Sequence, residues 1–425
     1  MTAVRVGGEG VVDRAAVRRQ RILGVTYLVA AAIAAFVLTS DIDADAISTF
    51  QLKPAGNQGG LDVPNIVVPS VLTQYVIAAL CAALGAMQLI RGFGSRWAVV
   101  LGVVVVAFVF GFLTWAATGR SMSLIGILQL TVVKALPITF GALSGLLCER
   151  AGVINIAIEG MLLSGAFTGA VVGSATGNNI IGLAGAALVG GSLGALLAVL
   201  AIRYRMDQII AGTVINIFAA GITAFAAARV LQSHRELNEP EKFASLAIPV
   251  LSDIPVLGPM FFNGNIFLYA LFVLIGLLHY GLFYTRWGLR VRAVGEHPRA
   301  ADTVGINVLL TRYRNVIFAG VVAGVGGAYF TLGSTGSFVQ NMTGGRGFIG
   351  LAAMIFGGWT PIGSFLAGIV FGFADALQAR LSILNVPVPS EFLLMVPYIV
   401  TIIVVAGLVG RVRAPAADGQ PYDKG

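Results

Sequence analysis

Apolar runs of about twenty residues, repeated along almost the whole chain, limit what it can fold into. With soft boundaries they fall at 22–38, 70–90, 97–117, 124–147, 154–174, 180–201, 208–230, 266–284, 315–332, 347–359, 361–379 and 392–410. A helix needs about 20 apolar residues to cross the hydrocarbon core. Barrel strands alternate and are about half as long, so these continuous runs exclude a barrel. In lipid every backbone N–H and C=O must find a partner inside the protein, which leaves helices. Composition agrees: 57% of residues are hydrophobic and 11% charged, against about 25% charged in a soluble domain. The expected fold is an all-α polytopic membrane protein with about 10–12 transmembrane helices, some broken or re-entrant. The run at 347–359 is short for a crossing and reads as a half-helix or re-entrant piece.

The net charge of +8 would point to nucleic acid in a soluble protein. Here it reads as topology, because Lys and Arg collect in cytoplasmic loops, and no nucleic-acid partner is expected. Arg14, Arg18, Arg19 and Arg21 place the N-terminus inside. Simple alternation then puts Arg91 and Arg96, Arg203 and Arg205, the segment 285–314, and Arg411 and Arg413 on the same side, so both termini are expected in the cytoplasm. The loops at 41–69 and 232–265 fall outside. A basic stretch before the first apolar run, with Ala44–Asp45–Ala46 after it, has elements of a secretory signal. The triplet lies well past the run, and the run is nearly long enough to span, which favours an uncleaved first helix.

Several chemistries find no support in the sequence. A phosphate-binding loop needs Gly-Lys-Ser/Thr, and none of the four lysines (Lys53, Lys134, Lys242, Lys424) follows a glycine. Histidines 234, 279 and 297 are too dispersed to suggest a metal cluster, and Cys81 and Cys148 imply no disulfide framework. No cofactor, metal site or catalytic residue is expected.

One stretch breaks the apolar pattern: "GLRVRAVGEHPRAADTVGINVLLTRYR" at 288–314. Pro298 suits the first position of a helix and Gly305 the position just past its end. Ala300, Ala301 and Val304 would share one small, smooth face. Six of the 27 basic residues lie between Arg286 and Arg314, which holds the segment inside. It reads either as a solvated loop or as a short helix that docks in a partner's cleft.

The segment "GLRVRAVGEHPRAADTVGINV" resembles the cytoplasmic coupling loop of ABC importer permeases of the ribose, nucleoside and branched-chain amino acid branch. "CERAGVINIAIEGMLLSGAFTGA" (148–170), "RMDQIIAGTVINI" (205–217) and "NMTGGRGFIGLAAMIFGGWTPIGSFLAGIVFGFADALQ" (341–378) resemble the same branch. Together they look most like the nucleoside-type permeases paired with a basic membrane lipoprotein. The resemblance runs in order over about 124–410. Joined to the charge and hydropathy reading, it divides the chain into a basic N-terminus at 1–21, additional spans at 22–120, a permease core at 121–411 containing the coupling loop 285–314, and a tail at 412–425. It further implies a bacterial cell-membrane location and three protein partners: an ABC ATPase subunit, a homologous second permease and an extracellular substrate-binding lipoprotein. Glu296, His297, Pro298, Arg299, Ala300 and Ala301 would form the ATPase contact. The implied function is nucleoside import by ATP-driven alternating access. Import of ribose or another simple sugar, and ion-coupled secondary transport, are the alternatives.

Polar groups inside spans are costly and point to function. Lys134 and Glu159 are the deepest charges and suggest an ion pair, which would serve either helix packing or transport. By resemblance, 152–160 is a polar break in a helix lining the central path. That makes Asn155, Glu159, Asp207, Gln208 and Asn216 candidates for the substrate pathway, although Asp207 and Gln208 equally suit a helix cap. Phe338, Asn341, Arg346 and Phe348 mix aromatic and hydrogen-bonding groups of the kind a nucleoside needs, with packing as the other reading for the two phenylalanines. Trp359 and Pro361 would shape the turn between two half-helices.

Overall fold

The computed structural model describes residues 14–40, 42–52, 64–383, 395 and 413–424. Among them, ten helices are long and apolar enough to cross a membrane. Of the apolar runs, 392–410 lies outside the described residues apart from Met395. The chain forms two compact units, Met1–Ala55 with Asp62–Leu124, and Gly56–Leu61 with Ile125–Gly425.

In the first unit, α1 (Arg14–Ala32), α2 (Ser70–Ile90) and α3 (Trp97–Ala116) pack around Leu23, Tyr27, Ile77, Cys81 and Val104. A small sheet orders its strands β2 (Ile66–Pro69), β1 (Ile47–Gln51) and β3 (Ser121–Ser123), with β1 antiparallel to β2 and parallel to β3. Gly24 and Gly85 let α1 and α2 approach closely, since a Cβ on Gly24 would strike Leu89.

The second unit holds α4 (Leu124–Glu149), α5 (Ile158–Thr176), α6 (Asn179–Ala198), α7 (Gln208–Ala226), the short α8 (Leu257–Phe261) and α9 (Ile266–Tyr284). After these come α10 (Arg286–Glu296), α11 (Pro298–Thr303), α12 (Val308–Ala328), α13 (Arg346–Phe356) and α14 (Pro361–Ile383). Helix α5 stops at Gly177, whose left-handed φ of 60° no β-carbon disfavours, and Asn178 then caps α6 by accepting from the N–H groups of Ile180 and Ile181.

Helices α5, α6 and α12 meet through glycine. A Cβ on Gly190 would collide with the carbonyl oxygen of Gly320, and one on Gly165 with that of Gly324. Without a hydrophobic drive between helices in lipid, such backbone proximity is what dispersion contacts and helix packing rest on. The run "GLAGAALVGGSLGALLAVL" at 182–200 supplies Gly190 and Gly194 to this contact, with a Cβ on Gly194 meeting the Val316 carbonyl oxygen. The short apolar run near 347–359 is α13, eleven residues long, and α12 before it widens into π-type turns over Tyr329–Thr335.

Candidate functional site

Helix α4 ends at Glu149, and Gly152, with φ of 81°, turns the chain out of it. Residues 153–157 then run without regular structure through a buried environment, with Val153, Asn155 and Ala157 all fully covered. Irregular backbone at such a depth requires side chains to take its polar groups, and α7 supplies them. The Ile154 N–H donates to Gln208 Oε1 at 2.7 Å. Asn216 Nδ2 donates to the Ile156 carbonyl at 2.8 Å, and its Oδ1 accepts from the Gly160 N–H at 2.7 Å. Gln208 and Asn216, just over two turns apart on one helix, hold both ends of the break. Asn155 is buried beside Ser144 Oγ, at 3.4 Å.

Glu159 lies in the first turn of α5, yet its carboxylate serves another helix. It accepts from the N–H groups of Gly345 at 2.8 Å and Gly347 at 2.6 Å, which caps the start of α13. An anion at that position meets unpaired N–H groups and the positive end of the helix dipole. Gly345 has φ of 80°, and a Cβ on Gly347 would press on the Glu159 backbone. The glycines therefore admit the carboxylate. The expected Lys134–Glu159 ion pair is not formed, because the α13 N-terminus occupies Glu159. The charges nearest in influence to Lys134 are Arg346 and Asp375. Those two pair with each other, Nη2 to Oδ2 at 3.0 Å, with 22% and 12% of their side chains exposed. The Arg346 guanidinium also lies 6.0 Å from the Phe330 ring centre.

The remaining sequence candidates have other partners or surroundings. Asp207 caps α7, accepting from Ile209 and Ile210, and is exposed. Phe338 belongs to the core, edge-on to Phe167 at 5.2 Å. Asn341 is exposed in a turn with φ of 57°, and Phe348 is 48% exposed on α13.

At the C-terminal end of α4, just before the break, Glu149 accepts the Trp359 indole N–H at 2.6 Å, while Arg150 Nε donates to the Trp359 carbonyl at 2.8 Å. Trp359, at φ of 52°, forms the turn between α13 and α14. Beside this joint lies the charged segment. Pro298 stands at the first position of α11, and Gly305 follows its end with φ of 83°. The exposed face carries His297, Arg299, Ala300 and Val304, the last 75% exposed, whereas Ala301 is buried. Ala301 is covered by the chain's own tail, packing with Val294, Val308 and Tyr422. The small-residue face read from sequence is therefore split between solvent and tail.

Sequence reasoning missed the tail contacts, Arg312 and the Glu149–Trp359 bond. Arg312 is 2% exposed and donates from Nη1 to the Gln420 carbonyl at 2.9 Å. Burial pushes the Asp418 carboxyl up to about 6, although its hydrogen bond with Glu149, the Gly419 N–H and the Arg312 charge pull the other way.

A broken helix clamped by amides, a capped eleven-residue helix and an exposed short helix stand on a frame with ten membrane-spanning helices among the described residues, the architecture of a polytopic membrane protein. The family described as the permease component of branched-chain amino acid transport systems matches residues 126–405, and the chain belongs to it. It is 40% identical over 308 residues to the guanosine ABC transporter permease protein NupQ of Bacillus subtilis (strain 168), covering 70% of this chain and 97% of that one. With the nucleoside ABC transporter permease protein NupC of Lactococcus lactis subsp. cremoris (strain MG1363) it shares 38% identity over 318 residues, 71% of this chain and 99% of the relative. The guanosine ABC transporter permease protein NupP of Bacillus subtilis (strain 168) is 26% identical over 292 residues, 66% of this chain and 81% of the relative. No solved structure matches the chain.

Proposed function

We propose that the chain is the membrane permease subunit of an ABC importer for nucleosides. The observation that carries this reading is its 40% identity across 97% of a guanosine permease. Energy comes from a separate ABC ATPase subunit that grips the exposed face of α11, around His297, Pro298, Arg299 and Ala300, with Glu296 and Ala301 supporting it from behind. The chain is oriented with both termini and α10–α11 in the cytoplasm, as the charge distribution favours. Substrate arrives from an extracellular binding lipoprotein. NupQ and NupP are both named as guanosine permeases of one organism, which supports pairing with a homologous second permease.

The path runs beside the break at 153–157 and the start of α13. Asn155, Gln208, Asn216 and Glu159 fix its wall, while Arg346 and the half-exposed Phe348 offer donors and an aromatic face to the cargo. Asp207, Asn341 and Phe338 act at its margins, by capping, turning and packing. Movement at α11 passes to the ends of α4 and α12 and shifts the joint between α4 and α5. ATP shifts the equilibrium only to the extent that the ATPase holds α11 differently in its two states.

The test is uptake of labelled guanosine in cells expressing this permease with its partner subunits, with ribose and unlabelled nucleosides as competitors. The reading expects ATP-dependent guanosine uptake that nucleosides displace and ribose does not. Uptake that persists when ATP is depleted and collapses with the membrane potential would contradict it.

A further inference from the structure

The tail of this permease does more than trail from its last span. Residues 413–424 fold into tight turns, with the Asp418 N–H donating to the Pro415 carbonyl and Gln420 N–H to Ala417. Those twelve residues touch most of the elements that surround the coupling segment. The Ala417 N–H donates to the Gly295 carbonyl at 2.9 Å, and the Ala416 N–H to Glu296 Oε2 at 3.2 Å, both at the end of α10. Tyr422 packs on Ala301 of α11 and Val308 of α12. Lys424 lies 3.6 Å from Asp302, and Asp423 pairs with Arg205 before α7 at 2.6 Å. Gln420 takes the buried Arg312 of α12.

The other side of the tail reaches the broken helix. Asp418 faces Glu149, the last residue of α4, carboxyl to carboxyl. Gly419 sits against Ile154, so close that a Cβ there would strike its side chain. Ile154 is the residue whose N–H Gln208 holds. One short stretch thus bridges the moving helix and the joint that lines the path. Exposed termini usually fray unless tied down. This stretch is tied to four helices, α4, α10, α11 and α12, and to Arg205 and Ile154 in the connections between helices, with Tyr422 buried.

We infer that residues 413–424 act as a strut that couples α11 to the α4–α5 break, so that force applied by the ATPase at α11 reaches the substrate path through the tail. This rests on the reading of α11 as the ATPase contact. The exposed face of α11 stays free for the ATPase, because the tail covers the opposite face. Without the strut, α10–α11 would still dock the ATPase and keep the direct backbone contact of Gly295 with Arg150, but would lose the ties that the tail makes to Glu149 and Ile154 and so move residues 149–154 less effectively.

The experiment compares wild type with Tyr422→Ala and with a chain truncated after Arg413. It measures three quantities in the assembled transporter: co-purified ATPase, ATP hydrolysis and guanosine uptake. The expected result is unchanged ATPase co-purification and retained hydrolysis, with uptake per ATP falling about tenfold, the equivalent of a modest coupling free energy. Tyr422→Ala keeps the test open should the truncated chain fail to insert. Unchanged uptake per ATP in Tyr422→Ala overturns the strut. So does faster hydrolysis together with faster uptake, which would make the tail an inhibitor, and so does loss of the ATPase, which would make it a docking surface. A parallel Ala300→Arg/Val304→Glu variant separates the two readings. If it keeps its ATPase and full uptake, the α11 reading itself fails. If it loses the ATPase while the tail variants behave as wild type, only the strut fails.

Discussion

Removing the Glu159 carboxylate should release the first turn of α13. The side chain is 8% exposed, and its two oxygens take the N–H groups of Gly345 and Gly347 at 2.8 and 2.6 Å. Hydrogen bonds to a charged acceptor contribute about 1.5–3 kcal/mol each. Glu159→Ala therefore costs about 3–5 kcal/mol locally, since little water can replace the lost acceptor. Glu159→Gln keeps one carbonyl oxygen and should cost about half of that. At 1.36 kcal/mol per factor of ten, the alanine variant opens this turn at least about 100-fold more often. Amide hydrogen exchange of peptides covering 343–352, read by mass spectrometry in nanodiscs, measures that opening. The expected order of protection is wild type, then Gln, then Ala, with α5 and α6 unaffected. Equal protection in wild type and Glu159→Ala would refute the capping argument, because it would mean that the N–H groups of α13 are satisfied without the carboxylate.

Three further outcomes follow from the packing. Gly190→Ala should lower the thermal stability of the purified protein by an overpacking cost of about 1–3 kcal/mol, whereas Gly221→Ala, which faces open space, should leave it unchanged or raise it. Arg346→Ala strands the Asp375 carboxylate and should cost about 2 kcal/mol once partial exposure is allowed for. The Arg346→Ala/Asp375→Ala double variant should recover part of that loss in a thermal-stability cycle. Tail docking should tighten on acidification. Asp418 rises from its ordinary 3.8 to about 6 when docked, so its contribution is complete below the ordinary value and lost as pH climbs through about 6. Glu149, Arg312 and Gly419 are the groups facing it. Proteolysis of the tail should therefore slow from pH 7 to pH 5, and Asp418→Asn should flatten that dependence.

The legible parts of this fold are those written in local chemistry. Length and continuity of apolar runs give the spans, because lipid demands about 20 residues of internally bonded backbone. Pro298 and Gly305 mark both ends of α11, because each acts on its own φ or N–H. Gln208 and Asn216 were readable as polar intruders on an apolar helix, though not as the clamps of a break. What the sequence hides are pairs set by tertiary packing. Glu159 and its donor partners are separated by 186 and 188 positions, and nothing local distinguishes a carboxylate that caps a distant helix from one that seeks Lys134. The tail was hidden for the same reason. Its residues look like a polar terminus, and only the fold brings Gln420 to Arg312 and Tyr422 to Ala301. That contact is also why the face shared by Ala300, Ala301 and Val304 divides, with Ala301 turned inward.

The central claim, a nucleoside permease driven through α11, is tested most directly by guanosine uptake in cells that express the assembled transporter with either wild-type permease or Ala300→Arg/Val304→Glu. The account predicts ATP-dependent guanosine uptake by wild type and a loss of at least about tenfold in the variant, equivalent to roughly 1.4 kcal/mol of docking energy, with equal amounts of permease in the membrane. Wild-type uptake in the variant, with its ATPase still bound, would contradict it.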